Sequence, residues 1–141
     1  MPPYALEPAP AEHAEIRAAL HELVGRFLAD YERAANAQEL TLTQARVLGF
    51  ATCEPLSQRA LAARFGCDPS NISVIVDRLA ERGLVERRPD PRDRRVKLIA
   101  ATPAGSELAH RCCEQREWLL AGLSEPELQT VRAGLTLLTA G

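Results

Sequence analysis

The sequence has no unbroken apolar run of eighteen residues, so no segment predicts a membrane-spanning helix and no membrane partner is expected. It lacks a glycine-rich phosphate loop, a nucleophile elbow and an H-E-x-x-H pair, which excludes the commonest catalytic signatures and argues against an enzyme. Its four cysteines, Cys53, Cys67, Cys112 and Cys113, form no C-x-x-C pair and no Cys/His ligand spacing. His13, His21 and His110 show no ligand spacing with acids or cysteines, so neither a metal nor a cofactor is expected. The opening residues Met1-Pro2-Pro3-Tyr4 have no basic start and no apolar core. On that reading there is no secretory signal and the protein is cytoplasmic.

Net charge is close to neutral, at −2, which argues against indiscriminate binding to nucleic acid. The distribution is more informative. Residues 57–97 hold ten basic and six acidic side chains, while the rest of the chain holds seven basic and thirteen acidic ones. A cationic middle between acidic ends suits one phosphate-facing surface and other surfaces that avoid phosphate.

Hydrophobic periodicity predicts a mainly α protein of about six helices and one β-hairpin. Residues 1–10 are proline-rich and read as a loose arm. Ile16, Leu20, Leu23, Val24, Phe27, Leu28 and Tyr31 mark one apolar face of a long helix over about 11–37. That stripe is longer than one small core needs, so part of it is expected on a second subunit. Thr43 is expected to cap a second helix ending near Thr52, with Val47, Leu48 and Ala51 inward. Ser57 caps a third helix, Gln58 to Phe65, closed by Gly66. Asp68-Pro69 is a cap-then-proline start for a fourth helix reaching about Arg82. Two short β runs follow, near 84–88 and 96–101, around the charged turn 89–95. Thr102-Pro103 opens a fifth helix reaching about Gly122. Ser124-x-x-Glu127 is a capping box for a sixth, with Leu128, Val131, Leu135 and Leu138 on one side.

Two short helices joined by a tight turn and followed by a hairpin have the order of a winged helix-turn-helix. At about 100° per residue, Ile72, Ile75, Val76 and Leu79 share one side of the fourth helix. Ser70, Val74 and Asp77 lie opposite, flanked by Asn71, Ser73 and Arg78. Such a face is short and rich in hydrogen-bonding groups. Asn can pair with adenine, Arg with guanine, and Val can meet a thymine methyl. A protein-interaction module would usually show an apolar face there instead.

The run from Leu56 to Thr102 resembles the core of the MarR (multiple antibiotic resistance regulator) family. The resemblance is carried by Leu56-Ser57-Gln58-Arg59-Ala60-Leu61-Ala62, by Val76-Asp77-Arg78-Leu79, and by Glu81-Arg82-Gly83-Leu84-Val85-Glu86-Arg87. Its most specific part is Asp90-Pro91-Arg92-Asp93-Arg94-Arg95, followed by Leu98-Thr102-x-x-Gly105. The resemblance implies a transcriptional regulator, usually a repressor, that binds a pseudo-palindromic DNA operator as a homodimer. It divides the chain into an arm and dimerisation helix (1–40), a winged helix-turn-helix (41–101) and C-terminal dimerisation helices (102–141).

Carried onto this chain, Ser70, Asn71, Ser73, Val74, Asp77 and Arg78 become major-groove candidates. Arg94, with Arg92 and Arg95, becomes the wing tip in the minor groove, supported by Asp90 and Asp93. Ser57, Gln58, Arg59 and Arg64 become phosphate contacts of the third helix. The resemblance also implies a small aromatic or phenolic effector near the junction with the dimerisation helices, where His21, Arg46 and Phe50 have suitable chemistry. Thiol sensing through Cys112 and Cys113 is the alternative switch.

Overall fold

The structure, a computed structural model, describes residues 11–115 and 120–140. The expected proline-rich arm lies outside them. A 3-10 turn at Ala11–His13 leads into α1 (Ala14–Ala37), and α2 (Leu42–Cys53) and the two-residue strand β1 (Leu56–Ser57) follow. Next come α3 (Gln58–Phe65), α4 (Pro69–Glu81), β2 (Val85–Pro89) and β3 (Lys97–Ala101). The chain closes with α5 (Pro103–Glu114) and α6 (Glu125–Thr139). The architecture is the expected one: mainly α, with a small β-wing.

Local chemistry sets most boundaries. The Ser57 side chain accepts from the Ala60 N–H at 3.1 Å and starts α3. Gly66 ends it at φ 60°, a left-handed conformation that glycine adopts without a Cβ penalty. Asp68 caps α4 ahead of Pro69, and Thr102 caps α5 ahead of Pro103. Ser124 and Glu127 form the capping box of α6.

Three expectations need correction. The cap of α2 is Thr41, not Thr43: Thr41 and Gln44 exchange the reciprocal bonds of a capping box. Helix α5 ends at Glu114, short of Gly122; residues 116–119 lie outside the described set. The sheet has three strands in the order β1-β3-β2, all antiparallel, because Leu56 pairs with Ile99 and Ser57 with Leu98.

The core lies inside the middle of the chain. Val47 and Leu48 from α2, Leu61 from α3, Ile72, Val76 and Leu79 from α4, and Ile99 from β3 are fully buried. Each such side chain contributes about 1.5–3 kcal/mol by leaving water. Helix α1 joins this core towards its end, through Ala35 and the half-buried Tyr31, while Ile16, Leu23, Val24 and Phe27 remain exposed. Helix α6 buries no residue among those described.

Candidate nucleic-acid interface

Helix α4 turns its apolar side inward as its periodicity demands: Ile72, Val76 and Leu79 are buried and Ile75 is half-buried. Ser70, Asn71, Val74, Asp77 and Arg78 are exposed, and Ser73 is half-buried. The outer face therefore carries the polar residues expected of it, with Val74 54% exposed among them. Two of these side chains are already engaged. The Ser70 hydroxyl donates to the Asp68 carboxylate at 2.8 Å, and that carboxylate also accepts the Ser70 N–H at 2.9 Å. These bonds, the backbone one first, hold the Asp68 carboxyl below its ordinary range. Asp77 accepts from Arg87 Nη2 of β2 at 2.5 Å, so α4 is clasped to the wing.

The wing tip spans the turn between β2 and β3. Asp90 N–H donates to the Val96 carbonyl at 2.9 Å, closing the loop. Asp90 and Asp93 each accept a backbone N–H two residues on, from Arg92 at 2.9 Å and Arg95 at 3.1 Å. Such local bonds fold a turn without a sheet. Asp93 also receives the Arg95 side chain at 3.0 and 3.1 Å, a two-pronged charge-assisted contact. This pairing is the larger cause lowering the Asp93 carboxyl, and it raises Arg95 in return. Arg92 and Arg94 are exposed, and neither side chain has a partner among the described residues.

The third helix offers less free chemistry than its sequence suggests. Ser57 is spent as the cap. Gln58 Nε2 donates to the Pro69 carbonyl at 2.9 Å and so braces α3 against the start of α4. Arg64 pairs with Glu54 at 3.2 Å and lies over the Phe50 ring. Arg59 alone of the four is exposed and without a partner among the described residues. The positive middle is thus partly neutralised, since Arg82 and Arg88 are also occupied, by backbone carbonyls and by Glu86.

Comparisons with known proteins agree with this geometry. A family model described as MarR family matches residues 38–96. Over 85 residues the chain is 34% identical to an HTH-type transcriptional regulator of Mycobacterium bovis, a match covering 57% of this chain and 59% of that relative. The chain thus spans less than two thirds of that curated relative's length. Solved structures extend the match. CouR from Rhodococcus jostii, in a crystal structure bound to p-coumaroyl-CoA, is 34% identical with a TM-score of 0.71, covering 92% of this chain and 95% of that one. A MarR-family transcriptional regulator from Rhodococcus sp. is 31% identical with a TM-score of 0.68, covering 93% and 97%. The chain belongs to the MarR family. Both the Mycobacterium relative and the Rhodococcus sp. structure carry the name of a transcriptional regulator.

The residues suggested for an effector do not gather at one place in this MarR-family chain. His21 borders a cleft of about 320 Å³ with Arg17, Leu20 and Val24, all on α1. Arg46 instead stacks on Phe65 at 4.7 Å, and Phe65 meets Phe50 edge-on at 5.7 Å. Cys112 is buried, with its thiol 3.8 Å from the Ala34 carbonyl, whereas Cys113 is exposed. No helix among the described residues is long and apolar enough to cross a membrane.

Two side chains at this surface were not singled out by the sequence reading. Arg87 entered only the charge total and the run that carries the family resemblance, and Lys97 only the charge total. Strand register could have found them: Arg87 faces Ile99, a core residue, and Lys97 lies two positions from Ile99 on the same face.

Proposed function

We propose that the chain binds double-stranded DNA as a homodimer and represses transcription until a small effector releases it. The observation that carries this reading is the pairing of a polar, exposed outer face on α4 with a braced wing whose Arg92 and Arg94 are uncommitted. On this reading Asn71, Val74 and Arg78, with Ser70 and Ser73 beside them, meet the major groove. Arg94, flanked by Arg92 and Arg95, enters the minor groove, where the potential is most negative. Arg59 supplies a phosphate contact, while Ser57, Gln58, Arg64, Asp77, Asp90 and Asp93 position the elements that carry the readers.

The apolar stripes left exposed on α1 and α6 support the dimer. They also support the division into a reader, 41–101, between flanking association segments, 1–40 and 102–141. A two-fold pair would set its α4 helices roughly 34 Å apart, one DNA turn, on a pseudo-palindromic site. The similarity to CouR, solved with p-coumaroyl-CoA, favours an aromatic acid or its thioester as effector over thiol chemistry. The burial of Cys112 points the same way. Such a ligand acts by binding the DNA-competent and incompetent arrangements with different affinity. A shift assay with the gene's own upstream DNA, with and without aromatic acyl-CoA, tests the proposal. A retarded band dispersed by the ligand is expected; no band at any protein concentration would defeat it.

A further inference from the structure

We propose that the cleft between the start of α3 and the base of the wing seats one backbone phosphate of double-stranded DNA. Lys97 and Arg59 are its cations, and Asp77 withholds Arg87 from it. The inference rests on the DNA-binding reading above and names a contact within it.

The cleft has a volume of about 360 Å³ and is bordered by Ser57, Gln58 and Arg59 on one side and by Arg87, Lys97 and the apolar Val96 and Ile99 on the other. Strand pairing builds it. Ser57 lies opposite Leu98, so the first turn of α3 is held beside Lys97. Arg87 lies opposite Ile99 and Pro89 opposite Lys97, so Arg87 and Lys97 are diagonal neighbours on one face, about 7–8 Å apart. Three cations and no acid border the cleft. Its apolar wall lowers the local dielectric and strengthens the attraction for an anion. Arg59 and Lys97 both border the cleft, and neither has an ion-pair partner among the described residues.

The third cation is different. Arg87 reaches from the cleft to Asp77, on the exposed outer face of α4. That bond places the cleft beside the face proposed for the groove. It also neutralises Arg87. Asp77 therefore acts as a restraint: it keeps a third positive charge off phosphate, which limits affinity for DNA of any sequence.

Lys97 is the only lysine in the chain. An amine-reactive reagent can thus modify this side chain and the terminal amine, and mass spectrometry can follow Lys97 in the wild-type protein. We expect a random-sequence duplex to protect Lys97, and inorganic phosphate at the same phosphate concentration to protect it far less. Equal labelling with and without a bound duplex would overturn the seat.

Titrations of the same duplex at several salt concentrations give a second reading. Loss of one phosphate contact flattens the plot of log affinity against log salt by about 0.9. K97Q and R59Q should each weaken binding and flatten the plot by less than this, and the double variant by the whole, because both cations hold one phosphate. A loss of about 1.8 in the double variant, two separate contacts, would overturn the single seat. D77N should bind random DNA more tightly with a slope like that of wild type, because the freed Arg87 joins the same phosphate. Unchanged or weaker binding would overturn the restraint. If wild-type protein bound no duplex, including its own upstream DNA, the DNA-binding reading itself would fail. Binding with Lys97 fully reactive would defeat the seat alone.

Discussion

Arg82, at the end of α4, donates from Nη1 to the Glu39 carbonyl at 2.7 Å and from Nη2 to the Gln38 carbonyl at 3.2 Å. One side chain therefore ties the helix proposed to read DNA to the turn that ends α1. Glu39 holds that turn at φ 57°, a left-handed conformation that costs a non-glycine residue about 1–2 kcal/mol. The two charge-assisted bonds offset this strain. Arg82→Ala should lower stability by about 1–2 kcal/mol, at the modest end for exposed charged donors. Urea unfolding would show it as a lower midpoint at constant slope. An unchanged midpoint would mean that the tether carries no net free energy.

Gly105 allows α5 to start against the base of the wing. A Cβ at this position would lie 1.9 Å from the Leu84 carbonyl oxygen and 2.9 Å from its carbon. The neighbour is backbone, and that backbone is pinned: Leu84 O accepts the Thr102 N–H at 3.1 Å, and Thr102 Oγ1 donates to the Gly83 carbonyl at 2.6 Å. Neither side can yield cheaply. Gly105→Ala should destabilise by at least about 3 kcal/mol, well above the usual cost of overpacking. Thermal melts would check it, and a melting temperature within a degree of wild type would contradict the packing described.

The wing tip should resist acid longer than an ordinary aspartate turn. Asp93 is lowered first by the Arg95 side chain and then by the Arg95 N–H. A carboxyl lowered in the folded state contributes above its unfolded value and loses that contribution as pH falls through the folded one. The Asp93–Arg95 pairing should thus persist through about pH 4, the ordinary aspartate range, and be lost only below it. NMR titration of the Asp93 carboxyl should give a midpoint below that of a short aspartate peptide. A midpoint at or above the peptide's would contradict the pairing.

What was legible in the sequence was mostly local. Ser57, Gly66, Asp68-Pro69, Thr102-Pro103 and Ser124-x-x-Glu127 act within a turn of their own position, and the structure uses each as its type suggests. Thr41 and Thr43 are both chemically able to cap α2. The discriminating signal was Gln44, which completes a box only with Thr41. Strand β1 escaped because two residues carry no periodicity; only its pairing with β3 defines it. The fate of the charges was hidden for the same reason. Asp77 meets Arg87 ten residues away, Gln58 reaches Pro69, and Arg82 reaches Glu39. None of these follows from a face or a count, so an excess of arginine overstated the charge available to a ligand.

The sixth helix supplies a test of association. It buries nothing among the described residues, yet Val131, Leu135 and Leu138 recur along it at helical spacing and are exposed. Leu135→Asp should shift the proposed dimer to monomer in sedimentation velocity while leaving the wing intact, because burying an unpaired carboxylate in an apolar contact is prohibitive. An unchanged dimer at the same concentration would remove this stripe from the interface.

On the proposed reading the outer face of α4 and the wing tip form one DNA-binding surface, and Arg94 is its most exacting probe. Its guanidinium is exposed and has no partner among the described residues, so removing it disturbs nothing in the fold. Titrating wild type and Arg94→Ala against the upstream duplex at several salt concentrations should show binding weakened by about 1–3 kcal/mol and a flatter salt dependence. Identical affinity and identical slope would contradict the account.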